Sequence, residues 1–294
     1  MPAPTDALFA PFALEFVQRA LLGGALVAVL CGVVGTWVVI RGMAFLGEAL
    51  GHGMLPAVAL ATVLGVPVLV GGAVGATAMS IGVAALQRRG RLSYDTSIGL
   101  LFVAMLSLGV IVISFSGNFA TDATAILFGD ILAISAADLV VLAAACGIGV
   151  LVAALAHRAL VALALDTRIA AVLGFRPRVA QAVLVGLVTL AVVASYQAVG
   201  SLLVVGLLLA PAVAAGGWTA RISSRMLLAA AIGVAAVFTG LLASWHFASA
   251  AGASVAASAI ALAGGSTLLR TAVVAHGRRW RGTPERRTSA PAAA

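Results

Sequence analysis

The chain is a succession of long apolar runs separated by short clusters of arginine, and the length of each run predicts how many helices it holds. Crossing roughly 30 Å of hydrocarbon takes about 20 helical residues. Leu21 to Ile40 contains no charged residue and predicts one span. The 34 residues from Gly53 to Leu86 are also free of charge, and with a helix beginning near Met43 they predict two spans broken at Gly65 and Pro67. Ser97 to Phe119 predicts another, as do the 18 residues from Leu139 to Ala156. Val179 to Ala220 is uncharged for 42 residues and Met226 to Leu269 for 44, each enough for two crossings, with breaks near Gly200 and Gly252. The total is nine spans, or eight if Leu21 to Ile40 does not cross.

Composition agrees with this reading. Of 294 residues 63% are apolar and 9% charged, and the mean hydropathy is +1.19. No soluble domain hides that much apolar surface. The expected fold is an all-α polytopic membrane protein, with residues 1–20 as an extracytoplasmic N-terminal segment, 21–270 as the membrane domain and 271–294 as a basic, disordered cytoplasmic tail. Arginine-rich loops face the cytoplasm. With nine spans and the arginine-rich C-terminus inside, Arg41, the Arg88–Arg91 cluster, Arg158, Arg168, Arg176, Arg178, Arg221, Arg225 and Arg270 all fall on the inner side, and Arg19 alone falls outside. The basic excess is therefore a topology signal beside anionic lipid, not a sign of nucleic-acid binding.

A few polar residues stand where the bilayer disfavours them. Glu48 lies early in the second expected span, where a central carboxylate costs about 2.5–3.5 kcal/mol on insertion scales. His52 follows at i+4 on the same helical face. Gly47, Gly51 and Gly53 let a neighbouring helix come close. A carboxylate and an imidazole on one face make a half-site for a borderline divalent ion; the alternative is a hydrogen bond that only ties helices together. At the outer mouth Asp122, Asp130 and Asp138 have no arginine nearby, and acidic openings gather cations. Asp122 and Asp138 also suit helix N-caps, whereas Asp130 precedes Ile131–Ile134, too short to span, and predicts a partial or re-entrant helix. His246 beside Trp245 reads as an interfacial anchor or a weaker ligand. Cys31 and Cys146 stand alone and read as small core residues.

On the inner side, Asp166 or Thr167 can cap a short helix whose Ile169, Val172 and Leu173 form one apolar stripe, stopped by Gly174 and Pro177. Such a stripe needs a partner protein or the membrane surface to cover it.

The chain contains no lysine, so a phosphate-binding loop of the G-x-x-x-x-G-K-[ST] kind is excluded. No H-E-x-x-H or G-x-S-x-G is present either, and the chain is not expected to be an enzyme.

Four segments in order, Arg41-Gly42-Met43-Ala44-Phe45-Leu46-Gly47-Glu48-Ala49-Leu50-Gly51-His52-Gly53-Met54-Leu55-Pro56, Tyr94-Asp95-Thr96-Ser97-Ile98-Gly99, Leu127-Phe128-Gly129-Asp130-Ile131-Leu132 and Ala198 to Ala212, resemble the permease subunits of ATP-binding-cassette importers for zinc, manganese and iron. The resemblance spans roughly Leu14 to Leu269. It implies a type II importer permease, paired with a second permease copy as a homodimer, driven by a separate ATPase dimer and fed by an extracytoplasmic metal-binding protein. It implies no permanently bound cofactor, only transient Zn2+ or Mn2+, with zinc slightly preferred. It also implies that Asp166, Thr167, Ile169, Ala170, Leu173 and Gly174 seat in the ATPase as a coupling helix, and that Glu48, His52 and Asp130 lie on the metal route. Two departures stand out. The family often has Asp where this chain has Glu48, and Phe247 to Val255 lacks the acidic residue many members carry. The rival expectations are a proton-coupled secondary metal transporter and a type II permease for siderophores or cobalamin.

Overall fold

A computed structural model of the chain describes residues 10–88, 93–115 and 129–281. Among them the chain forms α1 (Glu15–Ile40), α2 (Ala44–Gly53), α3 (Leu55–Val63), α4 (Val68–Arg88), α5 (Tyr94–Ser114), α6 (Ala136–Leu155), α7 (His157–Leu165), α8 (Thr167–Val172), α9 (Pro177–Gly216), α10 (Ile222–Phe247) and α11 (Ala251–Arg281). Eight of the described segments are long and apolar enough to cross a membrane, with α2 and α3 acting together as one and Glu15–Ile40 a full span of 26 residues. The ninth expected span corresponds to Leu203–Gly216, which is shorter than the others. The helical arm after the Gly200 break, residues 201–216 of α9, is about 24 Å long at 1.5 Å per residue, less than the hydrocarbon thickness. The last helix runs on to Arg281, so the expected tail begins as helix.

Gly200 explains the short segment. It has φ 75° and ψ 160° inside α9, a combination that only glycine adopts readily. The first arm of α9 runs antiparallel to α1: Gln181 accepts from Arg41 at 3.5 Å, and Leu190 lies with Leu30 over Gly149. The second arm runs parallel to α1, with Val204 beside Cys31 and Leu208 beside Gly35. Gly200 thus turns the chain back on itself, and α9 is a hairpin of two arms.

The reversal is covered from above by residues 129–134. Asp130 caps a 3-10 turn, Ile131–Ala133, by accepting from the Leu132 N–H at 3.1 Å. Ile131 and Ile134 are buried, and their side chains fill the hollows over Gly24 and Gly23 of α1. Irregular backbone is tolerated at such depth only where protein covers it. The expected partial helix is therefore a single turn among the described residues; Ala125–Phe128 and Asp122 lie outside them.

Helix α1 is the axis of the bundle, packed mainly on α9 and α10. Small residues permit this closeness. The Gly35 backbone lies directly against the Leu208 carbonyl, and Gly32 against the Ala230 backbone. Cys31 and Cys146 are free thiols in the same core.

The second span is bounded by two left-handed glycines. Gly42 and Gly65 both have positive φ, 64° and 68°, and an added Cβ at either would meet nothing within 4 Å. Arginines sort by end: Arg19 pairs with Glu15 at the start of α1, whereas Arg41 at its other end donates to the Leu163 carbonyl of α7 at 2.8 Å. Arg225 and Arg270 flank Gly216 and Gly217, at the same end as Arg41.

Candidate functional site

Helix α2 is short because Pro56 cannot donate the N–H that would meet the His52 carbonyl four residues back, and the helix restarts at Leu55 after Met54. The buried face of α2, Leu46, Gly47, Leu50 and Gly53, packs where Leu208 of α9 reaches Gly47 and Met79 of α4 reaches Gly53. That fixes the opposite face, which carries Phe45, Glu48 and His52.

Glu48 Oε1 and His52 Nε2 are 2.8 Å apart, within hydrogen-bond distance. Their side chains are half-buried, 33% exposed for Glu48 and 20% for His52. Phe102 of α5 stands edge-on to the His52 ring, centroids 5.7 Å apart at 77°, and also to Phe45 at 5.6 Å and 64°. The pair is thus braced by aromatic rings on one side and open on the other. The pair offers one carboxylate oxygen and one imidazole nitrogen on the same face as candidate donors to a cation. Two ligands hold an ion loosely.

The remaining expected ligands are elsewhere. Asp130 is engaged in its own turn. Asp138 is not an N-cap: Ser135 caps α6, and Asp138 completes a capping box by accepting from the Ser135 N–H at 3.0 Å, because the serine at the earlier position takes the capping geometry. His246 is exposed at the end of α10, with Nδ1 2.9 Å from the Leu242 carbonyl oxygen. Among the described residues no group of three or more His, Cys, Asp or Glu side chains comes together.

At the arginine end, Asp166 caps α8 by accepting from the Arg168 N–H at 2.6 Å, and Gly174 ends the segment at φ 80°. Ala170 is fully buried, while Ile169, Val172 and Leu173 are exposed, Val172 by 87%. Ala170 anchors α8 against its neighbours, and the apolar stripe faces away uncovered.

Two features were missed in the sequence. Phe102 gave no signal, being one aromatic in a wholly apolar run. A polar-lined cleft beside α4 had a faint one, since Thr77, Ser80 and Gln87 recur on one helical face.

These elements define a polytopic membrane transport protein, with an ionisable pair inside a span and an uncovered helix at one end. The chain belongs to the ABC 3 transport family, whose model matches residues 13–269, and it is the membrane permease component of such a system, not its ATPase. It is 32% identical over 241 residues to the manganese transport system membrane protein MntC of Listeria monocytogenes, covering 82% of this chain and 86% of that one. It is 31% identical to the chelated iron transport system membrane protein YfeD of Yersinia pestis, covering 82% and 81%. Among solved structures, PsaBC from Streptococcus pneumoniae in complex with Fab matches with a TM-score of 0.77 and 30% identity, covering 86% of this chain and 91% of that chain.

Proposed function

We propose that this permease imports a divalent transition metal ion, with Glu48 and His52 as ligands on its route. The observation that carries the reading is the Glu48–His52 pair, 2.8 Å apart and half-open within a span. Relatives named for manganese and for iron support the substrate class. Nitrogen and oxygen ligands accept zinc, manganese and ferrous iron alike. The slight preference for zinc expected from the sequence has no support in those names, and manganese is the first ion to test.

One chain offers two ligands, and structural sites for such ions use four or more. A second copy related by a twofold axis doubles the pair, and the half-open face of α2 is where such a copy fits. The exposed stripe of α8 suits an ATPase subunit, which supplies the energy that a lysine-free chain cannot draw from a phosphate-binding loop of its own. An extracytoplasmic metal-binding protein delivers the ion at the end opposite the arginines, near Asp130. The positive-inside rule supports a cytoplasmic arginine end, and with it an N-terminal segment outside and a C-terminal tail inside. No resident cofactor is required.

Cells lacking the gene, complemented with wild type or with Glu48→Ala plus His52→Ala, test this by 54Mn uptake and by competition with Fe2+ and Zn2+. The double variant is expected to assemble with its ATPase and lose uptake at least tenfold. Normal uptake by it removes the pair from the route, and strong competition by Zn2+ alone restores zinc as substrate.

A further inference from the structure

An open cleft of about 1230 Å3 lies at the arginine end, between the α1–α2 turn, α4, the start of α5 and the first arm of α9. Neither Glu48 nor His52 lines it. It is larger than the roughly 300–1,000 Å3 of ordinary small-ligand pockets.

Its chemistry is graded along its length. At the surface end stand Arg41 and Arg178 against one carboxylate, Asp95, leaving an excess of positive charge. Arg41 is held in place, Nη1 donating to the Leu163 carbonyl at 2.8 Å and Nη2 to Gln181 at 3.5 Å, yet its Nε is buried without a partner, as is Gln87 Nε2. Both atoms carry hydrogens to donate, and buried donors without acceptors are costly. Pro177 also lines this end. It opens α9, whose N-cap residue makes no side-chain capping bond, so the positive end of that helix adds to the attraction for an anion. Further in, apolar side chains dominate the walls, Ala73 and Ile81 of α4 facing Val185, Leu190 and Val193 of α9. The hydroxyls among them, Thr77, Ser80 and Thr189, include a Ser80–Thr189 pair 3.0 Å apart that is satisfied within the two helices.

We infer that this cleft binds an anionic phospholipid, its phosphate at Arg41, Arg178 and Gln87 and its acyl chains along α4 and α9. Donors at the membrane surface with an apolar wall running inward match an amphiphile, and basic pockets between membrane helices are suited to anionic headgroups. A free anion would use only the surface end. A metal cation is repelled by the two guanidinium groups, so this site is separate from the ion route and does not depend on that reading.

The test uses the full chain purified in detergent and native mass spectrometry with phosphatidylglycerol, phosphatidylcholine of the same acyl chains, and sodium phosphate. Phosphatidylglycerol is expected to be retained at least tenfold more tightly than phosphatidylcholine and not to be displaced by millimolar phosphate. Arg178→Gln and, separately, Gln87→Leu are expected to weaken its retention about fivefold or more. Gln87→Leu removes only an unpartnered donor, so it keeps the test valid if loss of the arginine disturbs folding. Equal retention of the two lipids, displacement by phosphate, or wild-type retention in both variants overturns the inference. Lipid occupancy is the readout, so a failure of metal transport leaves this result unaffected.

Discussion

Substituting Gly35 by alanine probes the closest helix contact in the bundle. A Cβ there falls on the Leu208 carbonyl, with the Leu208 carbonyl carbon at 2.8 Å and Cα at 3.3 Å. Comfortable carbon–carbon contact is about 3.5–4.0 Å, so the second arm of α9 has to retreat by about 1 Å. Overpacking costs about 1–3 kcal/mol, and because the obstacle is backbone, which cannot rotate away as a side chain does, the upper part of that range applies. Helix propensity returns up to ~1 kcal/mol, leaving a net loss of ~2 kcal/mol, or roughly 30-fold in the unfolding constant at 1.4 kcal/mol per tenfold. Gly147 is the control, since an added Cβ there meets nothing within 4 Å and alanine should gain up to ~1 kcal/mol. Equilibrium unfolding in mixed micelles with a denaturing detergent reads both. If Gly35→Ala is as stable as Gly147→Ala, α1 and α9 do not touch through their backbones. Leu208 also rests on Gly47, next to Glu48, so the same variant is expected to lower metal uptake.

Gly200→Ala forces φ 75° and ψ 160° on a residue with a side chain and is expected to destabilise the chain by about 1–3 kcal/mol, measured in the same unfolding assay; an unchanged midpoint means the hairpin reverses by another geometry. Val172→Asp places a charge on a residue of α8 that is 87% exposed and is expected to leave stability within about 0.5 kcal/mol while cutting co-purification of the ATPase at least tenfold, and retained co-purification rules out α8 as the docking element.

How much of this was legible in advance depends on the kind of signal. Runs without charge are a strong signal because lipid tolerates few exceptions, and each expected span among the described residues has a helical counterpart. Breaks at Gly65 and Gly200 were readable because both residues take positive φ, whereas the last break falls at Ala248, in the left-handed region at φ 49°, where no glycine marks it; Gly252 lies just inside the next helix. Asp166 as a cap was visible from its position before the stripe. Asp138 misled because a serine three residues earlier outcompetes it. The i+4 spacing of Glu48 and His52 predicted their contact, but Phe102 and the cleft depend on how separate spans pack, which one chain's pattern does not encode.

The span that carries Glu48 and His52 is bracketed by Gly42 and Gly65, two left-handed residues with empty space around them. Helix α1, by contrast, meets α9 at Gly35–Leu208 and α10 at Gly32–Ala230 backbone to backbone. Both ends of the ionisable span are thus free of side-chain obstruction, while its middle is tied to the bundle where Leu208 of α9 rests on Gly47 and Met79 of α4 on Gly53. Any shift of α9 at Leu208 is therefore felt one residue away from Glu48.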